Sequence, residues 1–222
     1  MLTENLTLIL FSHWQQTVQP FGVNYLAADQ AFNHLVTAYS SPNRYYHTLE
    51  HIYHVLNTID TLQIYAQDLP SVQLAAWFHD VVYDAQAQDN EEKSADYAEQ
   101  MLTNLGIVAS KITKVKSLIL NTKNHKADNL DSQVLIDADL GILAAEPVNY
   151  QKYAQAIRQE YAWVSEVDYI TGRQQVLERF LQRQRIYFTP LMLEVAEASA
   201  RLNIQVKIDT LIKTTGSSFQ LT

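Results

Sequence analysis

The chain of 222 residues contains no cysteine, and it has only five glycines and five prolines. The lack of cysteine excludes disulfides and thiolate metal sites, so any metal ion must be bound by His, Asp, Glu, backbone oxygen or water. Because glycine and proline form tight turns and interrupt helices, their scarcity favours long helices over a sandwich or barrel of short strands.

Positive charge is also scarce, since 16 Lys and Arg stand against 24 Asp and Glu and the formal net charge is −8. Proteins that bind nucleic acid polymers normally have a basic surface, so we expect no such partner. The apolar run Leu6–Phe11 is broken by Ser12 and His13, which makes it a poor signal peptide and too short a membrane span. We therefore expect a cytoplasmic protein with no membrane partner.

Apolar residues make up 47% of the chain, enough for a sizeable core. We predict an all-α fold, a helical bundle of roughly nine or ten helices in a single domain over residues 1–213. The N-terminal helices at 1–40 should pack on it, and 214–222 should form a flexible tail. The predicted helices cover 3–18, 24–39, 45–66, 71–84, 90–105, 109–122, 132–144, 148–163, 167–185 and 190–213.

Three imidazoles recur along the third predicted helix. His47, His51 and His54 are spaced i, i+4 and i+7, which places them on one face of a helix. Three histidines in one stripe are an unusual choice for plain packing, and they suit metal binding. A solvated polar face, or core histidines bonded to the backbone, would explain the spacing equally well.

Polar residues also interrupt two apolar helices further along the chain. His79 and Asp80 follow the apolar run Leu74–Phe78, where an unpaired carboxylate would be costly to bury. A divalent cation accepts both ligand types, although backbone groups and an arginine could also satisfy the pair. Asp137 and Asp139 interrupt the helix predicted at 132–144, where one of them could instead cap a neighbouring helix.

The order His, then His-Asp, then Asp, each on its own helix, resembles the HD superfamily of metal-dependent phosphohydrolases. A group of bacterial predicted HD phosphohydrolases is similar over about residues 30–205. Their motifs Tyr-His-x-x-x-His, Phe-His-Asp-x-x-Tyr, Asn-Glu-x-x-Ser-Ala and Asp-Ala-Asp-Leu stand here as Tyr46–His51, Phe78–Tyr83, Asn90–Ala95 and Asp137–Leu140.

This resemblance implies an HD-type fold and a divalent metal ion as cofactor, with Mn, Fe, Co, Ni, Zn and Mg all open. Its register makes His47 the candidate general acid, gives Asp80 a catalytic role in orienting water, and selects Asp139 over Asp137. The metal ligands that it implies are His51, His79, Asp80 and Asp139.

The resemblance to cyclic-nucleotide phosphodiesterases is partial. Ala138-Asp139-Leu140 matches the sequence around their last metal aspartate, but Thr48 stands where they have Asn. Asp84 stands where they have a further His, and no glutamine can be placed as their purine clamp. Cyclic nucleotides are therefore not implied as substrates.

Several other polar residues are candidates for substrate binding or for support of the metal ligands. Glu91 could bind water or a second metal, whereas Glu92 is expected to cap its own helix with Asp89. His125 could bind a second metal or phosphate, and arginine suits phosphate because its planar fork is bidentate. Tyr83 is expected in the core. The candidates are Arg44, Glu91, Lys123, His125, Arg158 and Arg173.

We therefore predict a hydrolase that cleaves the phosphate ester of a small molecule, with a nucleotide as the expected substrate class. Water activated by the metal would attack phosphorus, and His47 would protonate the leaving oxygen. Two alternatives stay open, a di-iron oxygenase of HD fold and a non-catalytic nucleotide-binding regulatory module. The oligomeric state is open as well, with a homodimer as one option.

Overall fold

The structure, a computed structural model, describes the backbone of residues 2–218 and the side chains of residues 4–214. Every regular element within these residues is a helix, so the all-α prediction is confirmed. The contacts between residues divide the chain into two compact units, one up to Asp139 and one from Leu140 onward. The single-domain assignment stays a prediction.

The first unit contains seven α-helices, with short 3-10 helices at Gln19–Phe21 and Gln63–Tyr65. The α-helices are α1 (Leu2–Val18), α2 (Tyr25–Tyr39), α3 (Leu49–Leu62), α4 (Leu69–Phe78), α5 (Asn90–Asn104), α6 (Ala109–Thr122) and α7 (Leu130–Asp139).

The second unit begins with a 3-10 helix at Leu140–Ala144. Its α-helices are α8 (Pro147–Glu160), α9 (Glu166–Leu181), α10 (Pro190–Val195) and α11 (Glu197–Ser218). Helix α11 is tied to the 3-10 segment, because Asn203 donates hydrogen bonds to the carbonyl oxygens of Leu143 and Ala145 at 3.0 and 2.8 Å.

Helix α4 is the centre of the first unit. Its side chains are apolar on all sides, and Val72, Leu74, Trp77 and Phe78 are completely buried. Helices α1, α3, α5, α6 and α7 all contact it. Since burial of a large apolar side chain stabilises the fold by about 1.5–3 kcal/mol, α4 provides much of the unit's stability.

Aromatic rings join the N-terminal helices to α4. The Trp14 and Trp77 rings meet edge to face with centroids 5.5 Å apart, and Phe32 meets Trp77 in the same way at 6.1 Å. The Trp14 indole N–H donates a 2.8 Å hydrogen bond to the carbonyl oxygen of Ala28. Both tryptophans thus bury large apolar areas, and α1 and α2 are held against the helix that ends at the candidate site.

Three predicted helices are shorter than the sequence pattern indicated. The helix predicted over 45–66 begins only at Leu49, because Thr48 is extended (φ −117°, ψ 179°). The helix predicted over 71–84 ends at Phe78. The helix predicted over 132–144 ends at Asp139, where a 3-10 helix follows. His47 therefore lies outside α3, and the expected stripe of three histidines does not form.

Two further predictions of local structure are wrong. The expected helix over 190–213 is two helices, separated at Ala196, where φ reaches −117°. The expected capping box of Asp89 and Glu92 does not form, since the Asp89 side chain makes no capping hydrogen bond. Glu92 instead pairs with Lys123 on the neighbouring helix.

Helix α11 continues to Ser218, so the described part of the expected tail is helical, whereas residues 219–222 lie outside the described residues. Within the part of the chain that was searched, no helix has the length and apolar character needed to cross a membrane.

A buried carboxylate fixes the start of α7. Asp131 is only 1% exposed, and its Oδ1 accepts backbone N–H groups of Gln67 and Asp68 at 2.7 and 3.0 Å. Its Oδ2 lies 2.5 Å from the Lys114 ammonium, which also lies 3.3 Å from Asp68. These bonds set the position of α7 against α4 and α6, and so they also set the position of Asp139.

We expect Asp131→Ala to lower the free energy of unfolding by about 2–4 kcal/mol, because two backbone donors and a cation lose their partner. Denaturant unfolding followed by circular dichroism measures this change. Asp96→Ala is the control. It removes an exposed carboxylate that pairs with Lys116, which lies on α6 like Lys114, and it should lower the free energy of unfolding much less. Equal losses in the two variants would contradict the structural role of Asp131.

Candidate metal centre

Three helices bring four potential ligands to one point. His51 lies in the first turn of α3 and is 4% exposed, and His79 directly follows α4 and is 1% exposed. Asp80 comes next in the chain, and Asp139 is the last residue of α7. One ligand atom from each of these residues lies within 4.8 Å of the other three. The first unit therefore contains a cluster that could hold a metal ion.

The distances inside this cluster fit a coordination site. The two Nε2 atoms of His51 and His79 are 3.1 Å apart, and Asp80 Oδ2 lies 3.4 and 3.0 Å from them. Asp139 Oδ1 lies 3.4 and 3.5 Å from the same nitrogens. Neighbouring ligands that are each about 2.1 Å from one cation are separated by about 3.0–3.4 Å, depending on the coordination angle.

The His79 ring is held in the tautomer that a metal ligand requires. Its Nδ1 lies 2.8 Å from the carbonyl oxygen of Ala76, one turn back along α4. Since a carbonyl oxygen only accepts hydrogen bonds, Nδ1 donates, and the Nε2 lone pair faces the cluster once this nitrogen is deprotonated. The donor set of imidazole and carboxylate is the one that divalent transition metals accept.

The charges of the cluster are strongly coupled. Burial disfavours the charged form of His79, but the carboxylates of Asp80 and Asp139 outweigh burial and raise its pKa well above the usual value. Burial would raise the pKa of Asp80 and Asp139, yet the surrounding imidazoles hold both pKa values well below the usual range. Without a cation, the imidazoles supply the positive charge that these two partly buried carboxylates need.

Arg44 holds the turn that follows α4. Its Nη1 donates hydrogen bonds to the carbonyl oxygens of Asp80 and His47 at 2.7 and 3.1 Å, and Nη2 donates to Val81 O at 2.8 Å. The carbonyls of Asp80 and Val81 belong to the turn after α4, and that of His47 precedes α3. One guanidinium therefore fixes the backbone on both sides of the cluster, and Arg44 acts by positioning it.

Two tyrosines hold Arg44 in place. Its guanidinium carbon lies 5.0 Å from the ring centroid of Tyr39 and 5.6 Å from that of Tyr83. The Tyr83 ring also stacks on His47, with centroids 4.1 Å apart and planes inclined by 28°. Sequence reasoning assigned Tyr83 to the core, and its place in the Phe-His-Asp-x-x-Tyr motif was the available signal for this supporting role.

His47 lies beside the cluster, outside the set of four ligands. Its Nε2 is 3.9 Å from Asp80 Oδ2, and its side chain is 18% exposed. The stacked Tyr83 ring and the Arg44 bond to the backbone of His47 restrict its orientation. The imidazole is therefore partly open to solvent at the edge of the candidate metal centre, as a proton donor to a bound molecule must be.

His125 reaches the cluster from the loop between α6 and α7. Its Nε2 lies 3.4 Å from Asp139 Oδ2, the oxygen opposite to the one that faces His51 and His79. Its backbone φ is 48°, a left-handed conformation that residues other than glycine rarely adopt. Such strain is retained where the surrounding structure requires the side chain at that position.

The remaining predicted site residues have other contacts. Glu91 is partly exposed and is not among the four clustered ligands, and Lys123 binds Glu92 and the carbonyl oxygen of Gln88. Arg158 and Arg173 belong to the second unit, where they contact Glu166 and Tyr153 respectively. The structure therefore brings His47, Arg44 and His125 to the four ligands, but it does not bring Lys123 there.

A comparison of the chain with protein-family models, with curated proteins and with solved structures finds no match in any of the three. The likeness to HD phosphohydrolases therefore depends on the motifs alone and stays a prediction.

We expect His79→Ala and Asp80→Ala to abolish metal retention, because each removes a ligand and leaves a buried charge without its partner. Elemental analysis of the purified variants, and the rise in melting temperature on adding Mn²⁺, measure the effect. His54→Ala is a matched control, since His54 is an exposed histidine on the same helix as His51. Normal metal content in the Asp80 variant would contradict the site.

Arg44→Lys should keep the positive charge but lose the planar fork that binds the carbonyls of Asp80 and Val81. We expect metal affinity to fall about 10–100-fold while the chain remains folded. Competition with a chelating dye measures the affinity, and circular dichroism checks the fold. As a control, the same substitution at the exposed Arg185 should have no effect on metal binding. An unchanged metal affinity in Arg44→Lys would show that Arg44 does not position the ligands.

Proposed function

We propose that the chain is a metal-dependent phosphohydrolase of the HD superfamily that cleaves a phosphate ester of a small molecule, with a nucleotide as the expected substrate. The observation that supports this most is the convergence of two imidazoles and two carboxylates from three helices on one point. The order of these ligands along the chain is the order that the HD resemblance implies.

The four ligands would hold a divalent cation. Such a cation polarises a phosphoryl oxygen and lowers the pKa of a water that it binds, which is the chemistry that hydrolysis of a phosphate ester requires. Two carboxylates and two neutral imidazoles leave the site electrically balanced once a divalent ion is present. The protonated histidines of the metal-free site would release their protons on binding.

The side chains around the ligands supply the remaining roles. The second carboxylate oxygen of Asp80 is an acceptor that can orient the attacking water. His47, 3.9 Å from the other Asp80 oxygen, is placed to give a proton to the leaving oxygen. His125, which faces Asp139 Oδ2, is placed to donate a hydrogen bond to a phosphoryl oxygen.

The position of His125 also favours a second candidate function. The His125 imidazole, 3.4 Å from Asp139 Oδ2, could help to hold a second metal ion. A di-iron oxygenase of HD fold would need such a ligand. Elemental analysis separates the candidates, because the oxygenase requires two iron atoms per chain and consumes oxygen, whereas the phosphohydrolase releases phosphate in the absence of oxygen.

We expect the protein with its native metal to release phosphate from some member of a panel of nucleotides and sugar phosphates, and to lose this activity with a chelator. His79→Ala should also be inactive. If no phosphate is released from any member by the metal-loaded protein, the non-catalytic binding module becomes the better proposal.

His47→Ala tests the proton donor separately from the metal. It should retain the metal but lower kcat by about 10²–10⁴-fold, most strongly for substrates with poor leaving groups, because these depend most on protonation. The phosphate-release rate with an alkyl ester and with a nitrophenyl ester measures this difference. Loss of metal from His47→Ala would show that His47 is a ligand and that the proposed register is wrong.

A further inference from the structure

A second polar cluster lies within the second unit, among α8, α9 and α11. Helix α8 contributes Tyr150 and Tyr153, α9 contributes Tyr169 and Arg173, and α11 contributes Lys207. None of these residues is among the ligands of the candidate metal centre.

Arg173 is a cation with no carboxylate partner among the described residues. Its Nη2 donates a 2.7 Å hydrogen bond to the Tyr153 hydroxyl, and its guanidinium carbon lies 5.4 Å from the Tyr153 ring centroid. Its Nε is buried and makes no hydrogen bond within the described residues. A guanidinium has five donors and cannot lose its charge, so such burial is costly unless an anion is bound.

Two buried hydroxyls belong to the same cluster. Tyr150 and Tyr169 are only 5% and 7% exposed, and among the described residues neither hydroxyl has a hydrogen-bond partner. Burial raises the pKa of both hydroxyls, and the charge of Arg173 opposes this shift in each case, so they lie within its electrostatic reach. Unsatisfied buried hydroxyls are rare, and two beside one unbalanced guanidinium indicate that all three share a partner.

The Glu166 carboxylate beside this cluster already has a partner. Glu166 binds Arg158, whose Nε and Nη2 lie 3.1 and 3.0 Å from its Oε2. Burial lowers the pKa of Lys207, the charge of Arg173 lowers it further, and the charge of Glu166 partly opposes this shift. The cluster thus has donors and positive charge in excess, in a protein whose formal net charge is −8.

We propose that this cluster binds the phosphate group of a small-molecule ligand, held by the Arg173 guanidinium, the hydroxyls of Tyr150 and Tyr169, and the Lys207 ammonium. Donors from three helices suit a tetrahedral anion better than a planar carboxylate, and two cations match the double charge of phosphate. The proposal is independent of the phosphohydrolase activity, since it concerns residues of the second unit alone.

Binding of inorganic phosphate to the chelator-treated protein tests the proposal without a metal to bind the anion. We expect phosphate to raise the melting temperature of the wild-type chain progressively with concentration, because a ligand that binds only the folded state stabilises it. Titration calorimetry should give a dissociation constant that rises more than about tenfold in Arg173→Met, as a charge-assisted bidentate contact is lost. Arg179→Met is the matched control, since it removes the same charge from an exposed position on α9.

Tyr169→Phe provides a second test, because its expected effect on the melting temperature depends on whether phosphate is present. In the absence of phosphate this variant should melt at the same or a higher temperature, because it removes a buried hydroxyl that has no partner. In phosphate its gain in melting temperature should be smaller than that of the wild type.

Three results would overturn the proposal. The first is no rise in the melting temperature of the wild-type chain with phosphate. The second is an equal dissociation constant for phosphate in Arg173→Met and Arg179→Met. The third is equal stabilisation by acetate and phosphate at matched ionic strength, which would show that the site does not select a tetrahedral anion.

Discussion

The candidate metal centre depends on how the buried helix α4 ends. A helix that is apolar on all sides cannot simply continue into a polar site, and the carbonyl oxygens at its end need donors. The carbonyls of Ala76, Trp77 and Phe78 accept from the His79 ring, the Tyr39 hydroxyl and the Val81 N–H respectively. Arg44 then holds the turn that follows by donating to the carbonyls of Asp80 and Val81. This turn allows His79 and Asp80 to reach the same point, which adjacent residues of a continuing helix could not do as readily.

The electrostatics of the cluster follow from this geometry. Two carboxylates are held among buried apolar residues, and in the absence of a cation the pKa of His51 and His79 is raised by these carboxylates despite the cost of burial. The same groups would exchange protons for a divalent ion with little movement, because the ligand atoms already have the spacing of a coordination shell. In the second unit the charge of Arg173 lowers the pKa of Lys207, and among the described residues no carboxylate is bound to Arg173.

Much of the fold could be predicted from composition and periodicity. The scarcity of glycine and proline indicated an all-helical chain, and the unbroken apolar run before His79 indicated that α4 would be central. Helix ends were predicted less well, because they depend on distant donors. Periodicity continued α3 back through His47 and α4 on through Asp80. In the structure the extended Thr48 precedes α3, and α4 ends at Phe78 in a turn whose carbonyls bind Arg44.

The sequence by itself determined which residues could bind a metal, since the types and order of His51, His79, Asp80 and Asp139 already defined a ligand set without cysteine. Only the tertiary structure decided which other side chains join them. In the structure His125 lies against Asp139, whereas Lys123 pairs with Glu92. The physical reason is that ligand chemistry is a property of each residue, whereas convergence depends on long-range packing and on where buried polar groups find their partners.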